Sequence, residues 1–270
     1  MCGTIEHTFV VCAYKQSEYL EDCIISLKKQ TIPSNIILCT STPNDYIKDI
    51  AGKYSIEVFI NEDGVKNGSN IAKDWNFALS KSSTSLVTIA HQDDVYKEKY
   101  TENIIDAANK CKHPLIIFTD YSEIKNDLEV KSNKLLKIKR TLLSPLKNVN
   151  HWSSIRTRRK CLSFGNPICC PSVSFCLDNL KQPIFESGMK SNIDWDAWEK
   201  LSKENGEFAY VPKILMSHRI HAESTTTAVI AESSGRSIED YNMLCKFWPE
   251  WVSKLIEFFY KDSEKQNGKY

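Results

Sequence analysis

Two acidic side chains, Asp93 and Asp94, stand together behind His91 and Gln92, directly after the apolar run Leu86-Val87-Thr88-Ile89-Ala90. Adjacent carboxylates at the end of a strand suit the binding of a hard divalent cation, which in turn holds a phosphate ester. The same pair equally suits the capping of a helix that begins near Lys97. A second acidic cluster, Asp194-Trp195-Asp196-Ala197-Trp198, lies at a helix start. There Asp194 can take a proton as a general base, cap the helix, or do both. His218-Arg219-Ile220-His221 adds imidazole, and His221 reads either as a ligand for a borderline metal such as Mn²⁺ or as an ordinary surface histidine.

The elements that must position these groups alternate along the first half of the chain. Thr8–Cys12, Ile36–Cys39, Val58–Ile60, Leu86–Ala90 and Leu115–Phe118 are short continuous apolar runs, the pattern of strands covered on both faces. Between the first two, Ser17 can cap a helix whose Leu20, Cys23, Ile24 and Leu27 form one apolar stripe. A second helix is expected from about Asn70 to Lys81. This alternation predicts an α/β fold with a mostly parallel sheet, which binds ligands at the carboxyl ends of its strands. From about Asp120 the pattern loosens. The segment 131–160 reads as irregular, and Gly165-Asn166-Pro167 marks a turn. A helix near Asp194–Lys203 and a strand near Phe208–Val211 follow. Past Ser224 a polar linker leads to two aromatic-rich helices, Ile238–Trp248 and Trp251–Tyr260, separated at Pro249.

From Thr8 to Thr226 the chain resembles glycosyltransferase family 2. The resemblance is carried, in order, by Val11-Cys12-Ala13-Tyr14 with the helix up to Gln30-Thr31, by Gly68–Asn76, by Gln92-Asp93-Asp94, by Asp194–Trp198, and by His218–His221 with Ser224-Thr225. It implies a GT-A fold, Rossmann-like with helices flanking the sheet, over residues 1–225. Residues 1–120 would be the nucleotide-sugar half, 121–225 the acceptor half, and 226–270 a C-terminal helical appendage. The implied activity is inverting transfer of a hexosyl or N-acetylhexosaminyl group from a nucleotide-sugar donor to a glycan or lipid-linked acceptor. Ala13, Tyr14, Thr40, Asn76, Gln92 and Asp93 would meet the donor, and Asp94 and His221 a divalent metal, Mn²⁺ or Mg²⁺. Asp194 would be the general base, with Trp195 and Asp196 at the acceptor. The chain departs from the family after its second strand, where Thr40-Ser41-Thr42 stands in place of acidic residues. Hydroxyls can still read a base edge but carry no charge; uridine remains the expected base.

Composition bounds the rest. With 270 residues, 41% of them apolar, the chain can bury one sizeable core. No apolar run approaches the roughly 18 residues of a membrane span, and the first residues lack the pattern of a signal peptide. A cytoplasmic protein is therefore expected, with its ten cysteines reduced and packed as small hydrophobes. Gly64 and Gly68 form neither a dinucleotide fingerprint nor a P-loop. The net charge of +1 conceals an asymmetry: residues 131–160 hold ten Lys/Arg and no Asp or Glu, leaving 25 basic against 34 acidic residues elsewhere. That island can face an anionic acceptor or membrane, or be a solvated loop; no aromatic interleaving supports nucleic acid. The C-terminal aromatics suit core or homodimer packing better than a membrane anchor, because interfacial helices normally carry a strongly basic face. The rival activities are a sugar nucleotidyltransferase and an inactive sugar-nucleotide-binding scaffold. The first lacks its Gly-rich basic loop, and the paired carboxylates with Asp194 argue against the second.

Overall fold

The computed structural model describes residues 6–186, 188–221 and 233–267, the side chains of 233–237 and 259–267 excepted. A single nine-stranded sheet forms the centre. Its first wing is parallel: β1 (His7–Ala13) lies between β2 (Asn35–Thr40) and β4 (Leu86–His91), with β3 (Glu57–Ile60) outside β2. Phe9, Val10, Val11, Ile89 and Ala90 are fully buried. Helices α1 (Leu20–Lys28), α2 (Asp45–Lys53), α3 (Glu62–Asn67) and α4 (Ile71–Ser80) connect these strands. The expected strands and both expected helices of this half are present. Ser17 acts one step away from the expected cap: Tyr19 is the N-cap residue of α1, and its N–H donates to Ser17 Oγ at 3.3 Å.

The second wing is mixed. After β5 (Val95–Tyr96) and α5 (Tyr100–Ala108), β6 (Pro114–Lys125) turns into β7 (Leu128–Val130). β8 (Val173–Cys176) runs antiparallel between β4 and β6, while β9 (Glu207–Ile220) runs parallel to β6 and antiparallel to β5. The parallel character is therefore confined to the first wing and the β6–β9 pair. β9 is longer than the apolar stretch Phe208–Val211 implied, because its second half carries Ser217, His218 and Arg219 toward the end of β4.

The segment 131–160 is not irregular. It forms α6 (Lys134–Leu143) and most of α7 (Ile155–Leu162). Asn133 and Ser154 cap them by accepting from Leu136 N–H and Thr157 N–H. The apolar periodicity of α7 is masked by Arg158, a fully buried cation on the inward face. Its two terminal nitrogens donate to the Gly206 and Glu204 carbonyls at 2.8 and 2.7 Å, and the guanidinium lies over the Phe208 ring. A charge in a core position is tolerated only with such partners, and nothing in the local spacing announces them. α8 (Ile193–Leu201) precedes β9, and α9 (Ser233–Cys245) and α10 (Glu250–Asn267) close the described chain. Among the described residues no helix is long and apolar enough to cross a membrane.

Candidate active site

The end of β1 and the turn after β4 are clamped together by one side chain. Gln92 Nε2 donates to the Tyr14 carbonyl at 2.9 Å, and Tyr14 N–H donates to Gln92 Oε1 at 3.0 Å. Ala13 is buried beneath this turn, and the Tyr14 side chain is exposed. Lys15 follows in the left-handed region at φ 55°, with its N–H donating to Thr42 Oγ1 at 2.6 Å. Thr40 is buried, and its hydroxyl accepts from Thr42 N–H. Where the sequence shows no acid after β2, α4 supplies one: Asp74 accepts from Ser41 Oγ, Ser69 Oγ and Asn61 Nδ2. Sequence reasoning gave Asp74 no role, because it lies on a helix expected only to cover the sheet.

The two carboxylates after β4 have distinct surroundings. Asp94 is fully buried, and its Oδ1 lies 3.0 Å from His218 Nδ1 and accepts from Arg219 N–H at 2.9 Å. Asp93 is partly accessible, and its Oδ2 lies 2.9 Å from His221 Nε2. Arg219 Nε donates to the Asp93 carbonyl, and its guanidinium stacks 4.2 Å over the Tyr19 ring, tying α1 into the same corner. His221 thus meets Asp93, and His218, absent from the expected ligands, meets Asp94. His91 is stacked on Trp75 with ring centroids 5.2 Å apart, and burial pushes its pKa down to about 4. Its imidazole is therefore neutral at pH 7, the form that binds metal. Burial opposes the charge of His218, but the charge and hydrogen bond of Asp94, with Asp93, hold its pKa above the ordinary value.

His91, Asp93 and Asp94 each offer a ligand atom, and these atoms lie within 4.8 Å of one another. The buried Asp94 Oδ2 and His91 Nε2 have no hydrogen-bond partner among the described residues. Buried polar atoms are rarely left so. A donor set of two carboxylates and a neutral imidazole fits a divalent ion of the Mg²⁺ or Mn²⁺ kind.

Asp194 sits in the first turn of α8. Its Oδ2 accepts from Asn166 Nδ2 at 2.7 Å and its Oδ1 from Trp195 N–H at 2.8 Å. Burial nevertheless lifts its pKa above the usual carboxylate range, against these two bonds and the Lys139 charge. The charges of Asp94, Asp194 and Lys139 all act on the half-buried Cys169 thiol. Lys139 donates to Tyr121 Oη at 2.9 Å and faces both Asp194 and His218. It had been only one of ten cations in a basic segment, with nothing to mark it as inward-facing. Asn166 had looked like a turn residue alone.

Three expected residues serve elsewhere. Asn76 Oδ1 accepts from the N–H groups of Ile184 and Phe185, and its Nδ2 donates to the Phe185 carbonyl, joining α4 to that segment. Trp195 is buried, donates to the Leu162 carbonyl and stacks on Phe247. Asp196 is buried with the ammonium groups of Lys200 and Lys246. Both therefore bind α8 to its neighbours and offer no face to an acceptor sugar. Ser224 and Thr225 lie outside the described residues.

A family model described as Glycosyl transferase family 2 matches residues 8–176, more than half of the chain. No curated protein matches it. Similar solved structures include residues 1–349 of S. aureus TarS in complex with UDP-GlcNAc, at 15% identity and a TM-score of 0.62, over 94% of this chain and 70% of that one. The longer S. aureus TarS structure matches at 18% identity and a TM-score of 0.56 over 93% of this chain, which spans 42% of the TarS chain. Glucosyl-3-phosphoglycerate synthase from Mycobacterium tuberculosis in complex with phosphoglyceric acid matches at 12% identity and a TM-score of 0.57, over 90% and 80%. These likenesses show a shared GT-A fold.

Proposed function

The chain belongs to glycosyl transferase family 2, and from that premise we propose that it is an inverting transferase moving a hexosyl or N-acetylhexosaminyl group from a uridine-diphosphate donor to a hydroxyl of a glycan or glycolipid acceptor. Cell-surface polysaccharide or glycan synthesis on the cytoplasmic side is the setting that fits this reading. The observation that carries it is the double tie between the ends of β4 and β9, Asp93 to His221 and Asp94 to His218. It gathers acid, imidazole and guanidinium at the carboxyl end of β4, where α/β sheets bind their ligands. Uridine is favoured because TarS is described in complex with UDP-GlcNAc.

The backbone of Ala13 and Tyr14, held by Gln92, and the hydroxyl of Thr40 would line the nucleoside side. His91, Asp93 and Asp94, with His221 beside them, would hold the divalent ion, which when bound neutralises the departing diphosphate as a Lewis acid. Arg219 adds positive charge at the same corner, and the Asp94 carboxylate favours the charged form of His218. Asp194 takes the proton of the acceptor hydroxyl while its oxygen bonds to the anomeric carbon. The bond from that carbon to the phosphate oxygen breaks, its electron pair leaves on the diphosphate, and attack opposite the leaving group inverts the centre. The raised pKa of Asp194 makes it a stronger base than an ordinary carboxylate, the direction proton abstraction wants.

A thermal-shift series with UDP, GDP and their sugar conjugates, with and without Mn²⁺, tests the reading. A ligand present at about 100 times its Kd adds about 2.7 kcal/mol of stability. Uridine-diphosphate sugars should raise Tm when Mn²⁺ is present, and no response to any nucleotide diphosphate overturns the proposal.

A further inference from the structure

We propose that the outer sides of α7 and α10 form one docking surface for an anionic lipid bilayer. On α7, Arg156 and Lys160 are exposed four residues apart, and Phe164 beyond the helix end is 42% exposed. On α10, Ser253 is buried and Ile256 packs against the core, which turns Trp251, Leu255 and Phe258 outward at i, i+4 and i+7. Their exposures are 72%, 52% and 67%. A tryptophan among aliphatic and aromatic neighbours is the composition of a side chain layer that settles at a membrane interface.

Alone, α10 lacks the basic face that interfacial helices carry, since Glu250 and Glu257 offset Lys254. The fold supplies that face from a separate helix. Trp248 Nε1 donates to the Ser163 carbonyl at 2.7 Å, and the Phe164 and Trp248 rings lie 5.1 Å apart. Arg159 donates to the Lys246 carbonyl at 3.1 Å and covers the Phe247 ring. These contacts hold the end of α7, with Phe164, against Trp248, two residues before α10 begins, although some eighty-five residues separate them in sequence. α6 packs against α7 and extends the basic side, with Leu135 exposed beside Lys134 and Ile138 beside Lys137.

Charge complementarity selects the partner. Residues 131–160 hold ten Lys/Arg and no acid. Arg158 is buried, Lys139 faces the candidate site, and Arg140 and Arg159 pair with Asp120 and Glu199, which leaves Lys131, Lys134, Lys137, Lys147, Arg156 and Lys160 exposed. The rest of the chain carries 25 basic and 34 acidic residues. An anionic bilayer attracts this side and repels the others, so the same asymmetry orients the molecule as it binds. None of the side chains named in this surface belongs to the sugar-transfer site, so the two readings stand or fall independently.

Co-sedimentation with vesicles tests the surface, comparing phosphatidylcholine and phosphatidylglycerol in equal parts with phosphatidylcholine alone. The chain should pellet with the anionic vesicles only. Arg156→Ala with Lys160→Ala should lower the apparent affinity about thirtyfold, from two cations of ordinary weight at a lipid surface, and Trp251→Ala with Leu255→Ala by at least about tenfold. Binding by the unaltered chain should weaken with added salt, as screened surface charge requires. The thermal unfolding midpoint and circular dichroism of every variant, read without ligand, report that the fold is kept. Equal binding to both vesicles, or none, overturns the proposal. So does a dimer in sedimentation velocity that Trp251→Ala dissolves while vesicles bind no protein, since the face is then a contact between two copies.

Discussion

Two walls, residues 7–96 and 114–220, hold their candidate reactive groups by different means. In the first wall the reactive corner hangs on backbone pairing. Cys12 and His91 are partners in register, and Asp93 and Asp94 follow within three residues. In the second wall, the proposed base rides on α8, which has no place in the sheet. Side chains from other segments hold that helix: Asn166 on Asp194, Arg159 on Glu199, Lys246 on Asp196, and Asp240 on Asn192, while Lys200 and Lys203 make local i,i+4 pairs. A carboxylate set by strand register should tolerate changes at the surface. One set by charged side chains from distant segments should feel them.

The sharpest separation comes from the two carboxylates themselves. Asp194→Asn keeps the size of the side chain and removes its basicity, so transfer should fall at least about a hundredfold while donor affinity is unchanged. Near-normal turnover would remove Asp194 from the reaction. Asp93→Ala should act on binding: Mn²⁺-stimulated donor affinity should fall at least about tenfold, toward the metal-free value. Titrations with and without Mn²⁺ read this directly. An Asp93→Ala protein that still responds fully to Mn²⁺ would place the ion elsewhere and break the contrast between the walls.

A pH experiment addresses the first wall as a folded unit. His7 is buried between Ser34 and Thr88, at 2.9 and 2.8 Å, and burial lowers its pKa to about 3. Its unfolded value is about 6.5, so the unfolded chain takes up a proton first as pH falls. Stability contributed by the neutral imidazole is complete above about pH 6.5 and is lost progressively down to about pH 3. Between pH 7 and pH 5 the loss should be on the order of 2 kcal/mol. Denaturant melts at the two pH values check it; His91, lowered to about 4 by burial, adds a loss of similar size, so His7→Gln should flatten the total difference by about half. An unflattened difference would move the acid sensitivity to another group.

What the sequence could and could not tell follows the same division. The strands of the first wall were legible because Phe9, Val10 and Val11 are buried on both faces and form an uninterrupted apolar run. Asp93 and Asp94 were legible as an acidic pair at a strand end that suits a metal or a helix cap equally, and only the ordered family resemblance chose the metal. α7 was not, because Arg158 occupies a core position that periodicity assigns to an apolar residue. The far half of β9 was not, because Ser217, His218 and Arg219 face polar partners rather than a core. His218, Lys139 and Asn166 take their importance from groups tens of residues away, and local spacing carries no trace of that. Trp195 looked available to an acceptor only because the position of Phe247 could not be known.

The smallest effect isolates the difference in how the walls are held. Lys246 reaches from the end of α9 to Asp196 on α8, and Lys200 is the other cation on that carboxylate. Lys246→Met should lower stability by only about 1 kcal/mol, since the ammonium is half in water and its partner keeps a second cation. The informative readout is kinetic. If side chains set the position of α8, turnover should fall several-fold with donor affinity unchanged, because an approach of Asp194 displaced by a fraction of an ångström is costly to catalysis. Lys53→Met is the matched control: Lys53 pairs with Glu21 across α2 and α1 in the first wall, where no reactive group depends on the pair. Its turnover should stay at the level of the unaltered chain. Equal losses in the two variants would mean that both walls respond to surface charge alike, and that α8 owes its position to the packing of Trp195 and Trp198 rather than to its ion pairs.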